Sequence, residues 1–135
     1  MIMQQSRVIL ADKHQNMLGG IRRLLENETK TVLMVADSES LYHALENHTP
    51  DVVVVDQSFP VSGGTNIAWA LKKDFPKMKI IILSFNEEKS VIDDVMAAGV
   101  EGFVLKQRAV IDLIPALREV LQGRKYISPH MNGVS

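Results

Sequence analysis

A doubly wound α/β domain, with five parallel strands in the order 2-1-3-4-5 alternating with five helices, is the architecture that this sequence predicts. Three observations carry the prediction. First, five short apolar runs recur along the chain: residues 7–11 (RVILA), 32–36 (VLMVA), 51–56 (DVVVVD), 79–83 (KIIIL) and 102–105 (GFVL). The third has four valines and no polar alternation, as expected of a parallel strand covered on both faces. Second, stretches with the 3.6-residue apolar spacing of amphipathic helices follow the runs, which is the βαβ alternation that builds a parallel sheet through right-handed crossovers. Third, 135 residues at 46% hydrophobic suffice for one core and leave no room for a second domain.

The first run ends on Asp12, and Asp12, Lys13 and His14 form its exit loop. Met17, Leu18, Ile21, Leu24 and Leu25 then fall on one helical stripe, with Arg22, Arg23 and Glu26 between them. Gly19 and Gly20 lie inside that pattern; they match no phosphate-binding glycine motif, so the expectation is close packing. After the second run, Asp37 or Ser38 is placed to cap a helix that turns Leu41, Ala44 and Leu45 inward, and Pro50 stops it. The third run ends on Asp56. A turn-rich loop over 58–64 leads to Thr65, a potential cap for a helix burying Ile67, Ala68, Leu71 and Phe75 and leaving Trp69 partly covered. The fourth run ends on Ser84. Asn86 can cap the next helix, Glu87 and Glu88 suit its positive end, Val91, Ile92, Val95 and Met96 face in, and Gly99 closes it. The fifth run ends on Lys106. In the last helical pattern Pro115 has no N–H and is tolerated only in a first turn, which puts the helix start near Ile111 or Asp112. Residues 1–123 thus form the domain, and 124–135, without a period, read as the start of a linker or tail.

Fifteen Lys and Arg against sixteen Asp and Glu give a net charge of -1, so no basic surplus points to nucleic acid or an anionic membrane. With no cysteine there is no disulfide framework, thiol nucleophile or Cys-based metal site. The chain has neither a signal-peptide core at its start nor a run near the roughly 18 apolar residues of a membrane span, so a cytoplasmic protein is expected.

Chemistry in an open α/β sheet sits beyond the carboxyl ends of the strands. Asp12, Asp56, Ser84 and Lys106 each end a different strand, and in the predicted order those four strands are neighbours. Each has a plain alternative, a helix cap, a turn residue or a solvated charge, but four in matching places define one crevice.

From residue 7 to about 129 the sequence resembles the receiver domain of two-component response regulators, whose fold is flavodoxin-like. VILADKH resembles that family's first acid loop, VVVVDQSFP its phosphorylated aspartate loop, IILSFNEE its Ser/Thr strand end and GFVLK its lysine strand end. AAGVEGFVLKQ followed by GRKYISP is most similar to the NarL/FixJ type of LuxR-family regulators. The resemblance implies that Asp56 accepts a phosphoryl group from a sensor histidine kinase. It also implies that Asp12, Asp56 and the backbone carbonyl of Ser58 hold Mg²⁺, and that Ser84 and Lys106 bind phosphoryl oxygens. Phe103, three residues before the lysine, takes the place of the aromatic switch that moves with Ser84. The partners implied are the kinase, a second copy of the chain in a homodimer, and DNA only through an output domain that this chain does not contain. No role as an enzyme in its own right is implied, and no nucleotide loop, metal-His cluster or Ser/His/Asp arrangement favours one; His14, His43, His48 and His130 are scattered.

Lys13 departs from the pattern. Receivers usually carry a second acid there as a direct metal ligand, and Gly63 stands where Asp is common. With Lys13 the four pocket charges, Asp12, Lys13, Asp56 and Lys106, sum to zero without a metal. Two readings follow from the same residues: a receiver switched by phosphorylation, and a pseudo-receiver that serves as an interaction or dimerisation module without phosphate.

Overall fold

The computed structural model describes residues 3–14, 19–61 and 66–129. Its elements alternate as β1 (Arg7–Ala11), α1 (Gly19–Glu28), β2 (Thr31–Val35), α2 (Ser38–Asn47), β3 (Val52–Asp56), α3 (Ile67–Asp74), β4 (Ile80–Ser84), α4 (Lys89–Ala97), β5 (Gly102–Leu105), α5 (Ala109–Leu121) and β6 (Tyr126–Ile127). All strand pairings are parallel, in the order β2-β1-β3-β4-β5-β6. The predicted 2-1-3-4-5 sheet and its five helices are present, with one further strand at the edge.

Alternation along the strands divides the core into two layers. Val53 and Val55 of β3, Ile80 and Ile82 of β4, and Phe103 and Leu105 of β5 face α2, α3 and α4, packing on Leu41, Ile67, Leu71, Ile92 and Val95. Val52, Val54, Ile81, Leu83 and Val104 face α1 and α5, against Ile21, Leu25, Leu113, Leu117 and Val120. The four valines of β3 are wholly buried, each contributing on the order of 1.5 kcal/mol from desolvation. No helix among the described residues is long and apolar enough to cross a membrane.

Local signals set most element ends. Asp37 caps α2, its Oδ1 accepting from Ser40 N at 2.7 Å. Asn66 caps α3 through Trp69 N at 3.0 Å; the expected cap Thr65 lies outside the described residues, as do Met17, Leu18 and Gly63. Asn86 takes part in the turn before α4 but does not cap it: its Oδ1 accepts from Glu88 N, and Glu88 holds the N-cap position without a side-chain bond. Gly99 closes α4 at φ +98°, a conformation open to glycine and costly for other residues. At Gly102 a Cβ would lie 3.0 Å from Ile81 Cγ1 and 3.4 Å from Val120 Cγ2, so the bare backbone lets α5 settle on β5.

Three further expectations are corrected. Gly20 is exposed and a Cβ there would meet nothing within 4 Å, so it serves no close packing. The last helix does not begin at Ile111 or Asp112: α5 runs unbroken from Ala109 through Pro115. The carbonyl that Pro115 leaves unpaired is that of Ile111, a residue 65% exposed at the surface, where water can reach the backbone, while Pro115 itself is half-buried.

The third correction concerns the expected tail from residue 124. Tyr126 and Ile127 pair with Gly102 and Phe103 of β5, and Ser128 N donates to Phe103 O at 2.9 Å. Ser128 is buried; its Oγ accepts from Leu105 N at 3.1 Å and donates to Asp112 Oδ2 at 2.8 Å. Asp112 also accepts from Arg108 Nε at 2.7 Å and Nη2 at 3.1 Å. Burial pushes the Asp112 carboxyl up, but the bonds from Arg108 and Ser128 outweigh it and hold the group below its ordinary value. Asp112→Ala removes the acceptor of a buried hydroxyl and should cost about 2 kcal/mol in chemical denaturation, with faster amide exchange at Leu105 and Ser128. Since the folded pKa is depressed, this stabilisation is present above about pH 4 and lost as pH falls through the folded value; the gap between the two proteins should close in acid.

Candidate functional site

The parallel order brings the carboxyl ends of β1, β3, β4 and β5 side by side, and with them the four residues singled out from the sequence. Asp12 is 0% and Asp56 6% exposed. Lys106, in the single 3-10 turn after β5, lays its Nζ between them, 2.5 Å from Asp12 Oδ2 and 2.5 Å from Asp56 Oδ2. Its side chain is only 5% exposed. Each carboxylate is also held from its own loop. His14 N donates to Asp12 Oδ1 at 2.7 Å, and Ser58 donates to Asp56 Oδ1 through both its N, at 2.7 Å, and its Oγ, at 2.5 Å.

These contacts set the charge states. Burial pushes the Asp56 carboxyl up, yet the hydrogen bonds from Lys106 and Ser58 prevail and hold it below its ordinary value. Burial pushes the Lys106 ammonium down, and the two aspartates prevail and hold it above its ordinary value. At neutral pH the pair is therefore an ionised carboxylate beside a full ammonium. Oδ1 accepts two bonds and Oδ2 one, so a lone pair on Oδ2 is left to attack an electrophile, and the ammonium is placed to meet negative charge that gathers there.

Ser84, at the end of β4, is buried and directs its hydrogen bonds away from Asp56. Its Oγ donates to Gln57 Oε1 at 2.5 Å and accepts from Asn86 N at 3.0 Å. Phe103 is wholly buried in the core layer beneath α2 to α4, opposite Ile82 of β4. Lys13 is exposed. His14, His43 and His48 are exposed as well, and His130 lies outside the described residues.

Two neighbours escaped the sequence reading. Gln57 follows the central aspartate and engages Ser84, a contact between two strand ends that no local pattern signals. Phe85 is 58% exposed, and its ring stands 5.3 Å from Lys106 Nζ, within reach of a cation–π attraction. An apolar residue immediately after a strand was the one available sign of it.

Whether these residues fit Mg²⁺ turns on the donor set. Mg²⁺ wants near-octahedral oxygen ligands and gives up water reluctantly. Among the described residues no three His, Asp or Glu side chains converge. The two carboxylates present each give an oxygen to Lys106, and Lys13 stands where a further acid would be. The set is a carboxylate pair neutralised by an ammonium; Asp12, Asp56 and the backbone carbonyl of Ser58 would hold Mg²⁺ with water filling the remaining positions, in competition with Lys106.

The profile of the family described as response regulator receiver domain matches residues 8–118. Over 125 residues the chain is 30% identical to the transcriptional regulatory protein DegU of Brevibacillus brevis, covering 91% of this chain and 53% of that protein. Over 130 residues it is 34% identical to the transcriptional regulatory protein RcsB of Escherichia coli, covering 92% of this chain and 60% of that one. The chain thus spans just over half the length of these curated relatives. The structure of the isolated REC domain of RcsB from Salmonella enterica serovar Typhimurium, obtained with the phosphomimetic BeF3-, superposes with a TM-score of 0.83 at 31% identity, covering 95% of this chain and 96% of that one.

Proposed function

From the premise that this chain belongs to the response-regulator receiver family of two-component signalling, we propose that Asp56 is the phosphoryl acceptor and that a sensor histidine kinase is the donor. A carboxylate oxygen of Asp56 attacks phosphorus, the bond from phosphorus to the donor's imidazole nitrogen breaks, and an acyl phosphate remains on Asp56. The protein's part is positioning and charge neutralisation, which is most of what phosphoryl transfer demands. One observation carries this reading: the contact of Lys106 Nζ with Asp56 Oδ2, inside a crevice where burial strengthens every charge interaction. Ser84 becomes a donor to the new phosphoryl oxygens, and Phe103 turns toward the space it vacates. The signal passes to an output domain that binds DNA, with a homodimer of the chain as the assembled form. The domain is a switch in this scheme and turns over no substrate of its own.

Lys13 favours a second reading. The exposed lysine in place of an acid, with no three-ligand cluster among the described residues, fits an interaction module that assembles without phosphate. Incubation with acetyl phosphate, with and without Mg²⁺, followed by intact mass, separates the two. The first reading expects one added phosphoryl group, absent in Asp56→Asn. No added mass under any condition sinks it and leaves the pseudo-receiver.

A further inference from the structure

Ser84 has one hydroxyl proton, and Gln57 Oε1 holds it at 2.5 Å, while the acceptor side of the same oxygen is occupied by Asn86 N at 3.0 Å. The hydroxyl proton is therefore engaged away from Asp56. Asp56 meanwhile takes its hydrogen bonds from Lys106 and Ser58. Gln57 is in turn anchored: its backbone N donates to Leu83 O at 2.8 Å, so the strand pairing of β3 and β4 sets the point from which its side chain reaches Ser84. A hydroxyl with a single proton cannot serve Gln57 and a phosphoryl oxygen at once.

We propose that Gln57 is a positioning residue that holds the Ser84 hydroxyl in its resting orientation and competes with the phosphoryl group for the Ser84 proton. Its influence on Asp56 runs wholly through Ser84. The second half of this proposal rests on phosphorylation of Asp56; the first half does not. Loss of the Gln57 acceptor releases the hydroxyl and favours the phosphorylated state by the worth of one neutral hydrogen bond, about 2- to 10-fold.

The test reads the two halves apart. Ser84→Thr keeps the hydroxyl and adds a methyl group whose rotamer is measured by three-bond NMR couplings in the unphosphorylated protein. With Gln57 in place the introduced threonine should hold a single rotamer; with Gln57→Leu it should average; with Gln57→Glu, which keeps a side-chain oxygen as acceptor, it should be single again. An unchanged rotamer in Gln57→Leu overturns the proposal, whether or not Asp56 can be labelled. In parallel, acetyl-phosphate labelling of Gln57→Leu should run about 2- to 10-fold faster than wild type. In a Ser84→Ala background the same substitution should change nothing, a result that mere packing by Gln57 would not produce. Equal acceleration with and without the Ser84 hydroxyl overturns the competition. If the wild type fails to label at all, the phosphorylation reading falls, while the rotamer measurement still decides the role of Gln57.

Discussion

Lys106→Met is expected to lower the stability of this domain by about 3 kcal/mol at pH 7, the cost of breaking a buried charge pair by removing one partner. Nζ lies 2.5 Å from a carboxylate oxygen of each aspartate, and the three side chains are all nearly closed to solvent. Methionine fills much of the space of the lysine stem but leaves two negative groups facing each other. Without the ammonium, burial of Asp56 has only the Ser58 bonds to oppose it, so the carboxyl should rise. The pH dependence follows from the signs. The folded pKa of Lys106 is raised, so its contribution is complete below about pH 10.4 and lost as pH climbs through the folded value. The folded pKa of Asp56 is depressed, so its contribution is present above about pH 3.9 and lost as pH falls through the folded value. Urea denaturation across pH should therefore show the largest gap between wild type and variant from neutral pH to about pH 10, narrowing in acid, first as the raised Asp56 of the variant protonates and then as the wild-type pair does, and again above about pH 10. A gap that stays constant from about pH 3 to 8 would mean that Lys106 stabilises by packing of its stem and not by charge.

Lys13→Asp should tighten Mg²⁺ binding on the order of 10- to 100-fold and raise the rate of Asp56 labelling by acetyl phosphate with it, by returning a carboxylate ligand to the crevice. Two effects act at this position, the missing ligand and the added positive charge. From the sequence the charge looks dominant, since a lysine 4 to 6 Å from the ion would repel it by a few kcal/mol at an effective dielectric near 20. The exposure of Lys13 reverses that order, because a solvated ammonium is screened and free to swing away. Lys13→Ala should accordingly recover little and Lys13→Asp most of the effect. Isothermal titration with MgCl2 on the three proteins gives the affinities, and intact mass after acetyl phosphate gives the labelling. Should Lys13→Ala match Lys13→Asp, the charge is the obstacle after all. Should Mg²⁺ binding recover without labelling, the block to phosphorylation lies elsewhere, and the pseudo-receiver gains.

How much could be read in advance differs by element. The valines of β3, the apolar β4 and the helical stripes of α2 and α3 depend on burial on both faces or one, and burial writes itself into residue type. The strand ends Asp12, Asp56, Ser84 and Lys106 were legible because a parallel order makes all carboxyl ends meet at one edge. Pro115 misled because the rule against proline in a helix concerns an unpaired carbonyl, and whether water reaches the Ile111 carbonyl is a matter of which side of α5 faces the core. Tyr126 and Ile127 carry too short an apolar signal for a strand; they pair because β5 would otherwise leave an edge and because Asp112 and Leu105 both need Ser128.

Period, apolar content and the residue at each strand end are enough to set the class of sheet, the place of its crevice and the kinds of group that line it. The tertiary structure alone decided who bonds to whom there. That Lys106 divides itself between two carboxylates, that Ser84 gives its proton to Gln57 and not to Asp56, and that Lys13 stands in solvent depend on distances of a few tenths of an ångström between loops far apart in the chain. Hydrogen bonds weaken steeply over such distances, and no spacing of residues along a chain encodes them.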